Sequence, residues 1–196
     1  ASSEVIQIVS ESARVAFERL QPSDGINVFL STSEVRKETQ LDARRASPGA
    51  RLYGFVGLRG HVDVRLSDGA SVGIGPRVAP IYVPADGRGV LAMKPQAEIR
   101  HVGYSILIDR VRQMLGAEIG ERFDAFLDGR GITQAVEVAT TRQLRQLAVS
   151  LFASHLRGPL HLVFVEGVIL QLFATHAAAA GLLAEQPVRG PSARER

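Results

Sequence analysis

The stretch between residues 49 and 75 constrains the fold of this chain most strongly, because it contains seven glycines. A long helix does not tolerate glycine at that density. Within the stretch, Val62, Val64 and Leu66 alternate with polar neighbours, which places the apolar side chains on one face of a strand. The pair Asp68-Gly69 then supplies the positive φ that a tight hairpin turn requires. The region therefore predicts short antiparallel strands.

Further strands follow from the same alternation. The expected segments are 26–30, 52–58, 62–66, 72–74, 81–83 and 97–108. They are separated by turns rich in glycine, proline and aspartate, with no helical pattern between them. This arrangement favours a small barrel or jelly roll over an alternating α/β sheet.

Helices are predicted on both sides of the strands. Residues 1–25 are expected to begin with a helix, since apolar residues recur there at helical spacing: Val5, Val9, Ala13, Ala16 and Leu20. Residues 109–183 are expected to form a helical region. It contains two short helices, a loop or short extended piece over 129–139, a helix that Thr140 and Gln143 cap, and a long helix over 160–180.

Composition limits the classes of function. At 196 residues the chain fits one domain, and it has no cysteine, which excludes disulfides and zinc–thiolate sites. The isoelectric point is about 9.8 but the net charge is only +3. The basic clusters lack interleaved aromatic residues and a groove-binding helix, so solvated surface explains them. No window reaches about 18 consecutive apolar residues, so we expect a cytoplasmic protein without a membrane span.

Motifs for catalysis are weak. Gly69-Ala70-Ser71-Val72-Gly73 matches the nucleophile-elbow pattern, but that pattern needs a strand that turns into a helix, and Ser71 lies between two predicted strands. The five histidines include no pair two residues apart on one strand, the usual metal-binding pattern in a barrel. We therefore predict no catalytic residue, metal site or cofactor.

Aromatic and polar residues on the strands indicate a ligand pocket instead. The candidate ligand-binding residues are Arg51, Tyr53, Tyr82, His101 and Tyr104. Small barrels can hold one ligand among apolar walls with a few polar groups. The alternative is that the tyrosines are core residues whose hydroxyls reach water.

Residues 151–172 carry the most specific motif. One helix ends at Gly158-Pro159-Leu160, and the next contains Val163-Phe164-Val165-Glu166-Gly167 followed by Leu170-Gln171-Leu172. This pair resembles the helix pair of AraC-type transcription regulators, especially the branch that responds to siderophores. It departs from that pattern at Val168, where members commonly carry a basic residue. The order of upstream strands is also similar, and the segment 192–196 resembles the start of a helix-turn-helix domain.

The resemblance implies an α+β fold, in which a cupin-like barrel or half-barrel over 26–108 binds an effector. The helical region over 109–183 would dimerise, and residues 184–196 would link it to a DNA-binding domain absent from this chain. The implied partners are a small-molecule effector and a second copy, with DNA bound only through that absent domain. Two alternatives remain: a free-standing cupin-type enzyme such as an isomerase or dioxygenase, and a structural dimerisation module with a filled barrel.

The long helix offers a candidate dimer interface. Six residues at helical spacing form one broad apolar face: Leu162, Val165, Val168, Ile169, Leu172 and Phe173. A second seam remains at Val163, Gly167, Leu170 and Ala174. A monomer would leave this seam in water unless another segment of the chain covered it, so we expect a homodimer.

Overall fold

The computed structural model describes residues 2–44, 49–116, 119–129 and 131–183. In these ranges the strands are β1 (Ser2–Val9), β2 (Ala13–Ser23), β3 (Ile26–Val35), β4 (Thr39–Arg44), β5 (Arg51–Arg59), β6 (Val62–Leu66), β7 (Ser71–Ile74), β8 (Val78–Val83), β9 (Arg88–Met93), β10 (Gln96–Leu107) and β11 (Gln134–Ala139). The helices are α1 (Ile108–Leu115), α2 (Glu121–Asp128), α3 (Arg142–Ala153) and α4 (Gly158–Ala179). The predicted linker over 184–196 lies outside the described residues.

The strands form two antiparallel sheets that pack face to face. The larger has the order β1-β2-β3-β10-β5-β8-β11, and the smaller has the order β4-β9-β6-β7. The inner face of the larger sheet meets the smaller sheet, where Val15 and Ile99 share a core with Val62, Val64 and Ile74. Its outer face packs on the helices. The predicted α+β, cupin-like arrangement of strands followed by helices is therefore confirmed.

Strand β10 shows why the larger sheet is buried on both sides. Val102, Tyr104 and Ile106 belong to the core shared with the helices, whereas His101 and Ser105 face the smaller sheet. Successive side chains of a strand point to opposite faces. All six residues from 101 to 106 are buried, as expected where both faces are covered.

The predicted helix over residues 1–25 is wrong: this segment is a β-hairpin formed by β1 and β2. The hydroxyl of Ser10 accepts hydrogen bonds from the backbone N–H groups of Ser12 and Ala13 and so stabilises the turn. The apolar spacing that suggested a helix runs across this turn, and Val5 and Val9 are 63% and 67% exposed. Pairing with β3 overrides the helical pattern, since strand formation depends strongly on cross-strand neighbours.

Three smaller differences from the sequence predictions concern β4 and β9, β11, and the start of α3. Strands β4 and β9 pair with each other and were not predicted. The expected loop or extended piece over 129–139 contains β11, which adds an edge strand beside β8. The cap of α3 is Thr141 rather than Thr140, because the Thr141 hydroxyl accepts the Leu144 N–H at 3.2 Å.

Helix α4 is the longest helix described. It buries Val165, Ile169, Leu172 and Phe173 against the sheet and α3, which agrees with the broad apolar face predicted from the sequence. By length and composition it could also cross a membrane, with a mean hydropathy of 1.7 over an 18-residue window that is 39% buried. Core helices of soluble proteins meet the same criterion, so this is weak support for a membrane span.

Candidate ligand-binding site

A cavity of about 570 Å³ lies between the two sheets. Its floor is the inner face of β1, β2, β3, β10, β5 and β8. Its roof comes from the smaller sheet and is mostly apolar, with two charged residues, Asp42 and Arg88, and the apolar residues Leu41, Val62, Val64, Leu66, Leu91 and Met93. The lumen is therefore not filled by side chains, which argues against a purely structural barrel. Pockets of this size with mostly apolar walls hold small molecules in many proteins.

The register of the strands arranges the floor in rows. One row runs from Asn27 through Ser105 and Tyr53 to Tyr82. The next runs from Arg19 through Phe29 and Gly103 to Phe55, and the third from Phe17 through Ser31 and His101 to Gly57. Aromatic rings therefore lie beside small polar side chains across the whole floor.

Three aromatic rings form a stack on the floor. Tyr53 and Tyr82 lie 5.5 Å apart between ring centroids with planes 15° apart, and Phe55 lies 6.1 Å from Tyr82 with planes 11° apart. Burial raises the pKa of the Tyr82 hydroxyl above its usual range, so Tyr82 stays neutral. Such a wall suits the flat face of a conjugated ligand, because offset stacking adds to the gain from burying apolar area.

The aromatic rings fit where two neighbouring glycines leave space. A Cβ on Gly103 would lie 2.4 Å from the Phe55 ring on the cavity face, and one on Gly54 would lie 2.3 Å from the Tyr104 ring on the helix face. Phe55 is opposite Gly103 and Tyr104 is opposite Gly54 in the β5–β10 ladder. These two aromatic–glycine pairs bring one ring close to each face of the same strand pair.

Arg51 brings a cation to the cavity and is only 4% exposed. Its Nη1 donates to the backbone oxygens of Gly25 and Ser105 at 3.1 and 3.3 Å, and to the Ser105 hydroxyl at 3.1 Å. These bonds join the turn between β2 and β3 to β10. The guanidinium is therefore both a cavity group and a structural link.

His101 lines the cavity and carries one buried polar atom without a partner in the described part of the chain. The side chain is 8% exposed, and its Nδ1 has no hydrogen-bond partner among the described residues. Burial lowers the pKa of His101 to about 4, so the ring is neutral near pH 7. A buried polar atom without a partner is costly, and a ligand that hydrogen-bonds Nδ1 would remove that cost.

Sequence reasoning missed several cavity residues. Arg19 and Phe17 lie on β2, which was predicted as a helix, and Asp42 and Arg88 lie on the unpredicted strands β4 and β9. Asn27, Ser31 and Ser33 lie on a predicted strand or just beyond its predicted end, and their alternation with Val28 and Leu30 could have identified them.

Tyr104 does not line the cavity, in contrast to the prediction. Its hydroxyl lies 2.9 Å from Nδ1 of His176 on α4, within hydrogen-bonding distance, and the pair is buried on the helix face of the sheet. Residues 101 and 104 are three apart, so on a regular strand they point to opposite faces. Arg51, Tyr53, Tyr82 and His101 do lie together around the cavity.

No group of three or more histidine, cysteine, aspartate or glutamate side chains in the described ranges could hold a metal ion. Ser71 is an exposed residue of β7, and β7 leads through a short connection to β8 without a helix. The strand-to-helix turn that a nucleophile elbow needs is therefore not formed at Ser71.

The predicted seam on α4 lies on the helix surface away from the barrel. Val163 is 68% exposed, Ala174 is exposed, and a Cβ on Gly167 would meet no atom within 4 Å. Leu160 extends the same surface and is 69% exposed. Leu170 is half-buried and packs against the core. We refer to Leu160, Val163, Gly167 and Ala174 as the α4 seam.

Comparisons with known proteins identify the family. Residues 12–193 match the family described as the N-terminal domain of the regulatory protein PchR. A search of curated proteins gave no match. Among solved structures, the AraC-like transcriptional activator CuxR aligns with a TM-score of 0.52 at 8% identity, over 95% of this chain and 63% of that chain. Apo ToxT K231A from Vibrio cholerae aligns with a TM-score of 0.53 at 8% identity, over 86% of this chain and 61% of that chain.

At that identity the two structures support the fold alone, and this chain spans less than two thirds of the length of each. The sequence match covers most of the chain and agrees with the resemblance of residues 151–172. The chain belongs to the family of N-terminal domains of the regulatory protein PchR.

Proposed function

We propose that this chain is the effector-binding and dimerisation part of a cytoplasmic AraC-type transcription regulator. A small molecule binds in the cavity between the sheets, and the α4 seam pairs with a second copy. DNA is bound by a separate helix-turn-helix domain of the full-length regulator.

The cavity is the observation that carries this proposal. It combines a mostly apolar roof, a stack of three aromatic rings, and a lining histidine, His101, with a buried nitrogen that has no partner among the described residues. Packed cores leave few voids of this size. These features favour a mostly apolar ligand with a conjugated part and at least one hydrogen-bonding group.

A thermal-shift screen of small aromatic and conjugated compounds tests ligand binding. A compound at a hundred times its dissociation constant should stabilise the fold by about 2.7 kcal/mol and raise the melting temperature. His101→Ala and Tyr53→Ala should abolish the shift. Tyr104→Phe is the matched control, since Tyr104 lies on the other face of the same sheet and its loss should leave the shift intact. If Tyr104→Phe removes the shift and His101→Ala keeps it, the cavity is not the binding site.

The α4 seam supports the second part of the proposal. Leu160 and Val163 are large apolar residues, and more than two thirds of the surface of each is exposed. The small residues Gly167 and Ala174 would let a partner helix approach closely. A closed two-fold contact is the commonest arrangement of soluble oligomers.

Val163→Glu tests the dimer more cleanly than a change at half-buried Leu170. It should give a folded monomer by light scattering, because it places a charge in the seam without disturbing the core. Val149→Glu is the matched control: Val149 is 47% exposed on α3, outside the seam, and its change should leave the dimer unaffected. A wild-type protein that is monomeric at high concentration would contradict the assignment.

A further inference from the structure

We propose that the turn between β2 and β3, residues 23–26, transmits the state of the cavity to α4. This inference rests on the proposed function, because it concerns how an occupied cavity would change the α4 seam. The connection runs from the cavity to the helix through four residues in this order: Arg51, Gly25, Ser23 and Glu166.

The first link joins the cavity to the turn. The Gly25 carbonyl oxygen accepts hydrogen bonds from Nη1 of Arg51 and from the backbone N–H of Leu107, at 3.1 and 2.9 Å. Gly25 has a φ of 81°, and a Cβ there would lie 3.3 Å from the Leu107 side chain. The turn is therefore held closely against the end of β10, and Arg51 sets the position of its carbonyl.

The second link joins the turn to the helix. Ser23 pairs with Ile26 at the base of the turn, and its hydroxyl donates to a carboxylate oxygen of Glu166 at 2.6 Å. Glu166 precedes Gly167 on α4 and lies one helical turn from Val163. A displacement of the turn would therefore act on the helix directly beside the α4 seam.

A ligand can act on the first link because Arg51 and Ser105 both line the cavity. The Arg51 guanidinium has a limited number of N–H donors, and Nη1 already donates hydrogen bonds to Gly25 and Ser105. A ligand acceptor that takes one of these donors weakens the hold on the turn. A ligand that binds one arrangement better than the other shifts the population by its difference in affinity.

The hydrogen bond between Tyr104 and His176 provides the fixed point for such a movement. Both side chains are fully buried, and neither lines the cavity. His176 is ten residues after Glu166, about 15 Å along the helix at 1.5 Å per residue. If the His176 end of α4 stays anchored, a movement at the Glu166 end displaces Val163 and Gly167 more than it displaces Ala177.

A double-mutant cycle tests this connection without any ligand. Ser105→Ala removes one acceptor of Arg51 in the cavity, and Glu166→Ala removes the helix end of the connection. Measured by urea unfolding at one protein concentration, the two changes should be non-additive by at least about fivefold in the unfolding equilibrium constant. The coupling should vanish in a Ser23→Ala background and persist in Ser23→Thr, which keeps the hydroxyl.

The matched control cycle combines Ser105→Ala with Glu18→Ala. Glu18 accepts a hydrogen bond from the Ser3 hydroxyl on the β1–β2 hairpin, and no side-chain hydrogen bond among the described residues joins Glu18 to residues 23–26. The effects of these two substitutions on the unfolding equilibrium constant should be independent, so the double variant should match the product of the single effects within about twofold.

Hydrogen exchange gives a second readout if a variant unfolds too readily for the cycle. In Ser23→Ala, amides near Glu166 should exchange faster while those near His176 keep their protection. Additive behaviour of Ser105 with Glu166, or uniform exchange along α4, would overturn the connection. Neither result would affect ligand binding through His101, so the two proposals can fail separately.

Discussion

The two faces of the larger sheet are built from the same strands but packed differently. On the outer face, Val102, Tyr104 and Ile106 of β10 meet the helices in a filled core. On the inner face, His101 and Ser105 of the same strand border a cavity of about 570 Å³. One strand therefore contributes stability on one side and a binding surface on the other. We therefore expect substitutions on the outer face to change mainly the stability of the fold, and substitutions on the inner face to change mainly ligand binding.

The largest expected difference concerns two phenylalanines. Phe123→Ala should destabilise the fold by about 3–5 kcal/mol, because Phe123 is fully buried between the helices and the outer face. Phe55→Ala on the inner face should cost less than Phe123→Ala, since one side of Phe55 borders the cavity and makes fewer packing contacts. Denaturant unfolding of both variants measures the contrast. Equal losses would show that the inner face is as tightly packed as the outer one.

Acid should destabilise both faces through a buried histidine. Burial lowers the pKa of His101 and of His176 from 6.5 to about 4. Both rings are therefore neutral in the folded state, and the unfolded chain binds more protons between these values. Stability is fully present above pH 6.5 and falls as the pH drops towards 4, by up to about 3 kcal/mol for each histidine.

The matched variants His101→Gln and His176→Gln should each flatten part of the pH profile. Urea unfolding between pH 4 and pH 7 measures the stability of each variant. The wild-type curve is the reference, because it contains the same carboxylate titrations. Only the His101 variant should also change the response to a ligand. A pH profile that neither substitution alters would rule out a buried neutral histidine on either face.

The smallest expected effects come from removing one tyrosine hydroxyl from each face. In Tyr104→Phe, loss of the hydroxyl removes the hydrogen bond to His176 and should cost about 1–2 kcal/mol, including the His176 nitrogen left unpaired. Tyr53→Phe on the cavity face should alter ligand binding. Calorimetry of the two variants, with and without a stabilising compound, measures both effects. A Tyr104 variant with an altered ligand response would contradict the separation of the two faces.

The sequence predicted the central strands and the four helices well because local patterns determine them. The alternation in 62–66 falls where the structure has a strand, and the helix break expected at Gly158-Pro159 lies a few residues earlier, over 154–157, because Gly158 and Pro159 begin α4. The N-terminal hairpin was missed because its strands are held by cross-strand pairing, of β1 with β2 and of β2 with β3, which apolar spacing along one segment does not reveal. Four of the five candidate ligand residues line the cavity, whereas Tyr104 lies on the opposite face of β10, as its odd spacing from His101 dictates.

The paired arrangement of Phe55 with Gly103 and of Tyr104 with Gly54 has a consequence for how related sequences can diverge. A methyl group at Gly103 would collide with the Phe55 ring, so a larger residue there requires a smaller one at position 55. The same dependence links position 54 to position 104. Because the pairs lie on opposite faces, a lineage could remodel the ligand pocket through the first pair while it preserves the helix contact through the second. Covariation among homologues should therefore appear as two separate couplings, 55 with 103 and 54 with 104.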